Sequence, residues 1–290
     1  MNLDQTKCML YYIFYISFTL LGYVVFYFMS IQNYYYIPLF SYFVYHFGLI
    51  GHEACHGALP SIFKYLMDIE GAAHVGWIWK HNKRHHTHTN EIGKDLDIYY
   101  TNDSSSSTQI FGNKLCYVQY LLFPLSSISI KYFCTHYALQ KNEQSVVLLV
   151  PLFTYVIYPI YQNGFLAGMA FTLMSHGIVG FLYGIVFSVS HMNMQAEINP
   201  EGSFYEKQLK TTMTWAPQSY LWNHLTGGLN HQIEHHLNPK IPSFYYPRLK
   251  PEIVKKYNIY KQEDSLWAAL KSNFHFIKLK TGRTHRPPPK

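Results

Sequence analysis

The sequence predicts an all-α integral membrane protein with about four transmembrane helices and a histidine-rich helical cap on one side of the membrane. Charged residues make up only 13% of the 290-residue chain, about half of the roughly 25% typical of soluble domains. The apolar residues fall in long runs, and several of the 17 histidines stand in close groups between those runs. We interpret residues 1–290 as a single domain.

Four apolar runs are candidate membrane spans. A helix needs about 20 apolar residues to cross the hydrocarbon core. The first and fourth runs reach this length, and the second and third lie near the short limit. A cleaved signal peptide is not expected, because the first run is too long and no small-residue cleavage site follows it. The predicted spans are residues 9–30, 34–50, 145–160 and 165–189.

The distribution of basic residues predicts the orientation of these spans. All 23 Lys and Arg lie outside the spans, and the short connections 31–33 and 161–163 carry no charge. By the positive-inside rule, both termini and both long polar segments face the cytoplasm. The net charge of +7 therefore fits membrane topology and lipid headgroups, and no nucleic-acid partner is expected. Residues 102–108 are predicted as a linker and residues 281–290 as a disordered tail.

The first histidine motif, "HEACH", places His52 and His56 directly after the second span. Their i, i+4 spacing puts both imidazoles on one helical face. The motif also matches the HExxH pattern of zinc proteases, with Glu53 as the general base. That alternative needs a third ligand and a cleft, and it gives the other histidine groups no role.

The second motif, "KHNKRHHTH", contains His81, His85, His86 and His88. On a regular helix His81 and His85 share a face, His86 is turned away from both, and His88 lies closer to them. Spacing alone therefore leaves open whether His86 or His88 is the third ligand. The basic neighbours Lys80, Lys83 and Arg84 would suit an anionic headgroup or thioester carrier nearby, or they would simply form a solvated face.

The third motif, "QIEHH", places Gln232, His235 and His236 at i, i+3 and i+4, on one helical face. His191 stands at the end of the fourth span, where an ionisable residue is either an interfacial cap or a side chain turned toward a site; its position near the other histidines favours a ligand.

The histidines together exceed what one metal ion requires. A tetrahedral zinc takes three or four protein ligands, so this supply suits two metals better, and imidazole accepts zinc, copper, iron or nickel. Asp95, Asp97 and Glu234 are candidate acceptors that would orient the histidine N–H groups.

The three motifs in this order, "HEACH", "HNKRHH" and "QIEHH", resemble the histidine boxes of the membrane fatty acid desaturase family. The stretches "HTNEIGKDLDI" and "QLKTTMTW" match the family context, and the resemblance extends over nearly the whole chain. Glutamine at the first position of the third box resembles the front-end, Δ5/Δ6-like branch.

The resemblance implies a diiron enzyme that uses O₂ to introduce a double bond toward the carboxyl end of a fatty acyl chain. Zinc could not do this, because it is redox-inert. The substrate would be an acyl-CoA or an acyl-lipid. No HPGG motif of a fused cytochrome b5 domain is present, so a separate cytochrome b5 with its reductase, or ferredoxin, is expected to supply electrons. In a eukaryote the enzyme would lie in the endoplasmic reticulum membrane.

The resemblance also implies the metal ligands and favours His86 over His88. The implied set is His52, His56, His81, His85, His86, His191, His235 and His236, with Gln232 as a weaker candidate at the box position.

Three residues depart from the family pattern. Glu53 replaces an aspartate, His231 a tyrosine and Asn238 a phenylalanine. None of these changes removes a ligand, but His231 could compete for metal or alter the substrate tunnel.

Other functions are compatible with parts of the pattern. A lipid hydroxylase or a sphingolipid long-chain-base desaturase would use the same diiron site. A histidine-rich metal transporter would need ionisable residues near the bilayer midplane, where His46 and His176 are the main candidates.

Overall fold

The computed structural model describes residues 5–98 and 118–280. Within these ranges the chain is helical almost throughout, and its only sheet has two short strands, which confirms the all-α class. The chain divides into two compact units, each made of separate segments. The single-domain organisation stays a prediction, and the predicted linker and C-terminal tail lie outside the described residues. The first unit comprises Met1–Ile78 with Phe123–Tyr183, and the second Trp79–Leu122 with Gly184–Lys290.

The first unit contains the long apolar helices. Asn33 begins the turn after the first helix, where its side chain accepts a hydrogen bond from the Tyr35 N–H. Gly57, in the left-handed region at φ 80°, ends the second helix immediately after the first histidine box. The helices are α1 (Gln5–Gln32), α2 (Ile37–His56), α3 (Tyr65–Glu70), α4 (His74–Trp77), most of α5 (Val118–Lys141), α6 (Val146–Asn163) and the first part of α7 (Phe165–His191), with 3-10 turns at Tyr34–Tyr36 and Ser61–Lys64.

Within residues 5–98 and 118–280, three helices are long and apolar enough to cross a membrane, namely α1, α6 and α7. They correspond to the first, third and fourth predicted spans. The second predicted span is also helical, but α2 is less apolar than these three helices because His46, His52 and Glu53 lie within it. The count of four spans stays a prediction.

Aromatic contacts hold α1 against α2. Gly22 of α1 allows close approach, since a Cβ there would lie 2.2 Å from the Phe43 ring. The rings of Tyr23 and Phe47 are 4.7 Å apart between centroids, and such pairs contribute about 0.5–1.5 kcal/mol beyond their burial. The Tyr15 hydroxyl lies 2.5 Å from His46 Nδ1, so this candidate for a transport pathway is engaged in helix packing.

The largely buried side chain of Lys131 joins three helices of the first unit. Lys131 of α5 lies 2.8 Å from the carboxylate of Glu70 on α3, and the two side chains are 11% and 3% exposed. Lys131 Nζ also lies 2.8 Å from Nδ1 of His176 on α7. The second transport candidate is therefore also bound to a neighbouring side chain.

The second unit is built from short helices around an apolar cluster. The helix that carries the second histidine box, Ile78–His85, continues from α4. A capping box formed by Ser203 and Glu206 begins α8. The apolar cluster is formed by Leu209, Ile233, Tyr246, Leu249 and Ile253. The other elements are α8 (Phe204–Thr211), β1 (Thr214–Trp215), α9 (Tyr220–Leu225), α10 (Gln232–Leu237), a 3-10 turn (Ser243–Tyr245), α11 (Tyr246–Tyr257), β2 (Gln262–Glu263) and α12 (Leu266–Lys280), with β1 parallel to β2.

We predict that Lys131→Met destabilises the protein by roughly 3–5 kcal/mol, because it leaves the Glu70 charge buried without its partner. Thermal unfolding in detergent measures the effect. Lys141→Met is the matched control, since Lys141 lies exposed on the same helix. Equal unfolding temperatures for the two variants would contradict the prediction.

Candidate metal centre

Six of the predicted ligand histidines form two groups in the second unit. Within each group the candidate ligand atoms lie within 4.8 Å of one another, and every side chain is buried. Two buried groups of three imidazoles suit two metal ions, as the histidine count predicts. The first group is His81, His86 and His235, and the second group is His85, His191 and His236.

The second box lies on a π-helix, and this geometry determines which histidines meet. Residues Ile78–His85 are π-helical, and the His86 N–H donates to the carbonyl of His81, five residues earlier, at 3.0 Å. The wider turn brings the Nε2 atoms of His81 and His86 to 3.2 Å. The expectation that His86 is turned away assumed a regular helix and is wrong for this reason. Such π turns are rare and often occur at functional sites.

The third box also divides its histidines between the groups. His235 and His236 are adjacent on α10, yet His235 belongs to the first group and His236 to the second. Their ring centroids are 5.5 Å apart and their planes are at 84°. The expectation of one shared face is therefore too simple. The second box is divided in the same way, since His85 belongs to the second group and His86 to the first. Each of these two boxes therefore contributes histidines to both groups.

Two aspartates orient histidines of the second box, as predicted. His85 Nδ1 lies 3.0 Å from both carboxylate oxygens of Asp95, and His81 Nδ1 lies 2.5 Å from Asp97. A carboxylate acceptor keeps the proton on Nδ1, so the Nε2 lone pair is directed into the group. Asp97 also accepts from Lys80, which is 1% exposed. The suggestion that Lys80 suits a headgroup is therefore wrong.

The other orienting partners were not identified from the sequence, because they lie on distant elements. They contact the Nδ1 atoms of three of the remaining four histidines in the same way. The polar stretch "QLKTT", which lies in α8 and just after it and is mostly buried, was a signal for Gln208 and Thr211 alone. The partners are the Tyr246 hydroxyl at 3.1 Å from Nδ1 of His235, the Gln208 amide oxygen at 2.7 Å from that of His236, and the Thr211 carbonyl at 3.3 Å from that of His191.

The donor atoms of the second group fit a metal ion. The Nε2 atoms of His85 and His236 are buried and have no hydrogen-bond partner among the described residues. Burial lowers the pKa of His236 well below its ordinary value, and the neighbouring imidazoles add to the shift. The ring is therefore neutral, the form that binds metal. A buried nitrogen left unpaired is costly, and coordination would satisfy it.

Gln232 lies beside the second group. Its amide nitrogen is 2.9 Å from His191 Nε2, and its Oε1 is buried without a hydrogen-bond partner in the described part of the chain. This placement agrees with the expectation that Gln232 is a weaker ligand candidate than the histidines.

His88 belongs to neither group. Its Nδ1 lies 3.2 Å from Glu91, and its side chain is 29% exposed. Burial alone would raise the pKa of Glu91, but hydrogen bonds from Lys207, Lys94 and His88 lower it to about 2. The ionised Glu91 thus holds His88 near the surface. Of His86 and His88, the two alternatives for the third ligand of the second box, His86 is the one that lies in a histidine group.

Glu234 and His231 have other partners. Glu234 accepts from the Thr214 and Tyr260 hydroxyls at 2.9 and 2.5 Å, so the prediction that it orients a ligand is wrong. His231 Nε2 lies 3.0 Å from the side-chain oxygen of Asn223, and His231 is in neither group.

The first box lies in the first unit. The Nε2 atoms of His52 and His56 are 3.1 Å apart, and both residues are buried. Glu53 between them accepts a hydrogen bond from the Tyr12 hydroxyl at 2.5 Å. The pair thus has the shared face that the i, i+4 spacing predicts.

A sequence model of the family described as "Fatty acid desaturase" matches residues 30–265. The chain belongs to the fatty acid desaturase family. The resemblance of the three boxes is thereby confirmed. Family membership also decides against interpreting "HEACH" as the HExxH motif of a zinc protease.

Curated relatives of this family member are named as desaturases. It is 27% identical to an acyl-lipid (8-3)-desaturase of Physcomitrium patens over 81% of its length. It is 26% identical to an sn-1 linoleoyl-lipid 6-desaturase of Synechocystis over 79%, and to a Delta(5) fatty acid desaturase of Dictyostelium discoideum over 78%. The matches cover 57%, 74% and 58% of those proteins, respectively. The names agree with the Δ5/Δ6-like branch predicted from Gln232.

We predict that His86→Ala lowers metal affinity at the first group and that His88→Ala does not. Loss of a ligand should cost at least the roughly 10–100-fold that loss of an orienting partner costs. Metal content of the purified variants measures the difference. Equal metal content in both variants, or a loss only with His88→Ala, would rule out this assignment.

We predict that Asp95→Asn weakens metal binding by about 10–100-fold, because an amide holds the His85 Nδ1 proton less firmly than a carboxylate. A metal titration of the purified protein tests this. Asp264→Asn, at an exposed acid of the same unit, should bind metal like the parent chain. The prediction fails if Asp95→Asn also retains the parental affinity.

Proposed function

We propose that this chain is an O₂-dependent diiron desaturase that introduces a double bond toward the carboxyl end of a fatty acyl chain. The observation that carries the proposal is the arrangement of the second unit. There, six buried imidazoles form two groups, and five of them have a partner behind Nδ1. Such an arrangement has the chemistry of a two-metal centre.

In this proposal the six histidines of the two groups hold two iron ions. The resemblance of the boxes implies that His52 and His56 belong to the same ligand set, with Gln232 as a weaker member. Iron held by imidazoles supplies the oxidising power, drawn from O₂, that removal of hydrogen from an unactivated methylene requires.

The protein's own contribution is orientation and exclusion of water. Asp95 and Asp97 hold the Nδ1 protons of His85 and His81, so both rings keep one tautomer and one direction. The six rings are at most 6% exposed, which keeps water from the reacting atoms. The Gln232 side-chain amide lies beside Nε2 of His191, so it can change the hydrogen bonding around that ring.

We propose a lipid-linked acyl chain as the substrate, with acyl-CoA as the alternative. This follows the names of the relatives, of which the Synechocystis protein is a linoleoyl-lipid desaturase. Electrons would come from a separate cytochrome b5 with its reductase, or from ferredoxin. The three apolar helices support an integral membrane protein. We place the metal centre on the cytoplasmic side, at the endoplasmic reticulum if the source is eukaryotic.

Expression in a host that contains cytochrome b5, with linoleate in the medium, tests the proposal. We expect a new fatty acid with an added double bond nearer the carboxyl end, detected by lipid profiling. His235→Ala should abolish it, because the first group loses a ligand. His275→Ala should retain it, since His275 is an exposed histidine on α12.

Three outcomes would count against the proposal. No new lipid with any fed substrate would contradict the enzyme assignment. A purified protein that holds only zinc would contradict the redox chemistry. A hydroxylated lipid as the main product would favour the hydroxylase alternative with the same ligands.

A further inference from the structure

One buried amide contacts elements of both histidine groups. Gln208, on α8, is 1% exposed. Its Oε1 lies 2.7 Å from Nδ1 of His236, in the second group, and its Nε2 donates to the main-chain carbonyl of His86, in the first group, at 3.0 Å. Thr89 donates to the same Oε1 at 3.0 Å.

The backbone on either side of this amide is firmly held. The capping box of Ser203 and Glu206 fixes the start of α8. The Thr211 and Thr212 hydroxyls bond back to α8 carbonyls at its other end, at 2.8 and 2.6 Å. Leu209 packs in the same apolar cluster as Ile233, on the helix that carries His236. The position of Gln208 relative to α10 is therefore set by packing, independently of any metal.

The two contacts require different atoms of the amide. The contact to His236 needs an acceptor, which leaves the proton on Nδ1 and the lone pair on Nε2. The contact to His86 needs a donor, and it satisfies the carbonyl of the residue that follows the π-helix. A primary amide offers both, whereas a carboxylate offers only acceptors and an aliphatic side chain offers neither.

We propose that Gln208 is a positioning residue that couples the two metal positions. One amide orientation fixes both the His236 ring and the end of the π-helical turn that presents His86. Because the same side chain is common to both groups, an ion in one group favours the geometry that the other requires. The inference rests on the two-metal centre of the proposed function.

A stepwise Co²⁺ titration of metal-free purified protein, followed by the visible absorption of the bound ion, tests the coupling. In the parent chain we expect two equivalents to bind in overlapping steps. Gln208→Leu should weaken one step by about 10–100-fold, the usual cost of losing an orienting partner, so that the two steps separate. Iron content after growth in iron-rich medium should fall from two ions toward one.

Two further variants separate positioning from packing. Gln208→Glu keeps the acceptor for His236 but loses the donor to His86. It should therefore restore the affinity of the weakened step, but binding of one ion should no longer raise the affinity for the other. Gln195→Leu removes a half-buried amide of the same unit, whose contacts are to Gln262 and Glu263, and it should titrate like the parent chain.

Two results would overturn the proposal, and they are distinguishable. If Gln208→Leu and Gln208→Glu both bind two ions with parental steps and spectra, and only unfold at lower temperature, Gln208 is a packing residue. The proposed function then stands. If the parent chain itself binds fewer than two ions, the two-metal centre fails and the coupling fails with it.

Discussion

The hydrogen bonds to the Nδ1 atoms of the imidazole rings are the constraint on which the candidate metal centre depends. A neutral histidine has two tautomers and a ring that rotates about its side-chain bonds, so burial alone leaves its lone pair undirected. In the second unit, carboxylates, a hydroxyl, an amide and a main-chain carbonyl each take one Nδ1 contact. Each partner therefore specifies the direction of an Nε2 atom while satisfying a buried polar group.

The π-helix at the second box follows from the same requirement. A π turn is a less favourable conformation than an α turn, and it persists where the surrounding structure requires it. Here the wider turn brings His81 and His86 into one group and leaves His85 to face the other. Asp95 helps to hold this arrangement, because it accepts from the main-chain N–H of Asn90 as well as from His85.

Sequence reasoning was most reliable where the relevant residues lie close together in the chain. Asp95 and Asp97 follow the second box closely in the chain, so their pairing with its histidines could be inferred from spacing and chemistry. Gln208 and Tyr246 could not be found in this way, since packing of α8 and α11 against α10 brings them to the histidines. Glu234 shows the opposite error: its place in the box suggested an orienting role, but tertiary packing turned it toward Thr214 and Tyr260.

The fold shows a similar division. Long apolar runs were sufficient to predict α1, α6 and α7, because span length and composition are local properties. The second predicted span joins a membrane-type sequence to the helix end that carries the first histidine box, and α2 runs without interruption through both. The π-helix could not be predicted from the sequence, because inferences from residue spacing assume a regular α-helix.

The division of neighbouring histidines between two groups has a consequence for how these motifs can evolve. His85 and His86, like His235 and His236, are one residue apart in the chain and belong to different groups. Loss of a single residue just before either pair would move the second ring into the place of the first, and gain of one residue would move the first ring into the place of the second. Either change would therefore present one ring of the pair to the wrong group. Changes in length next to these pairs should therefore be more damaging than most substitutions there, and insertions in this protein should accumulate in the loops outside the boxes.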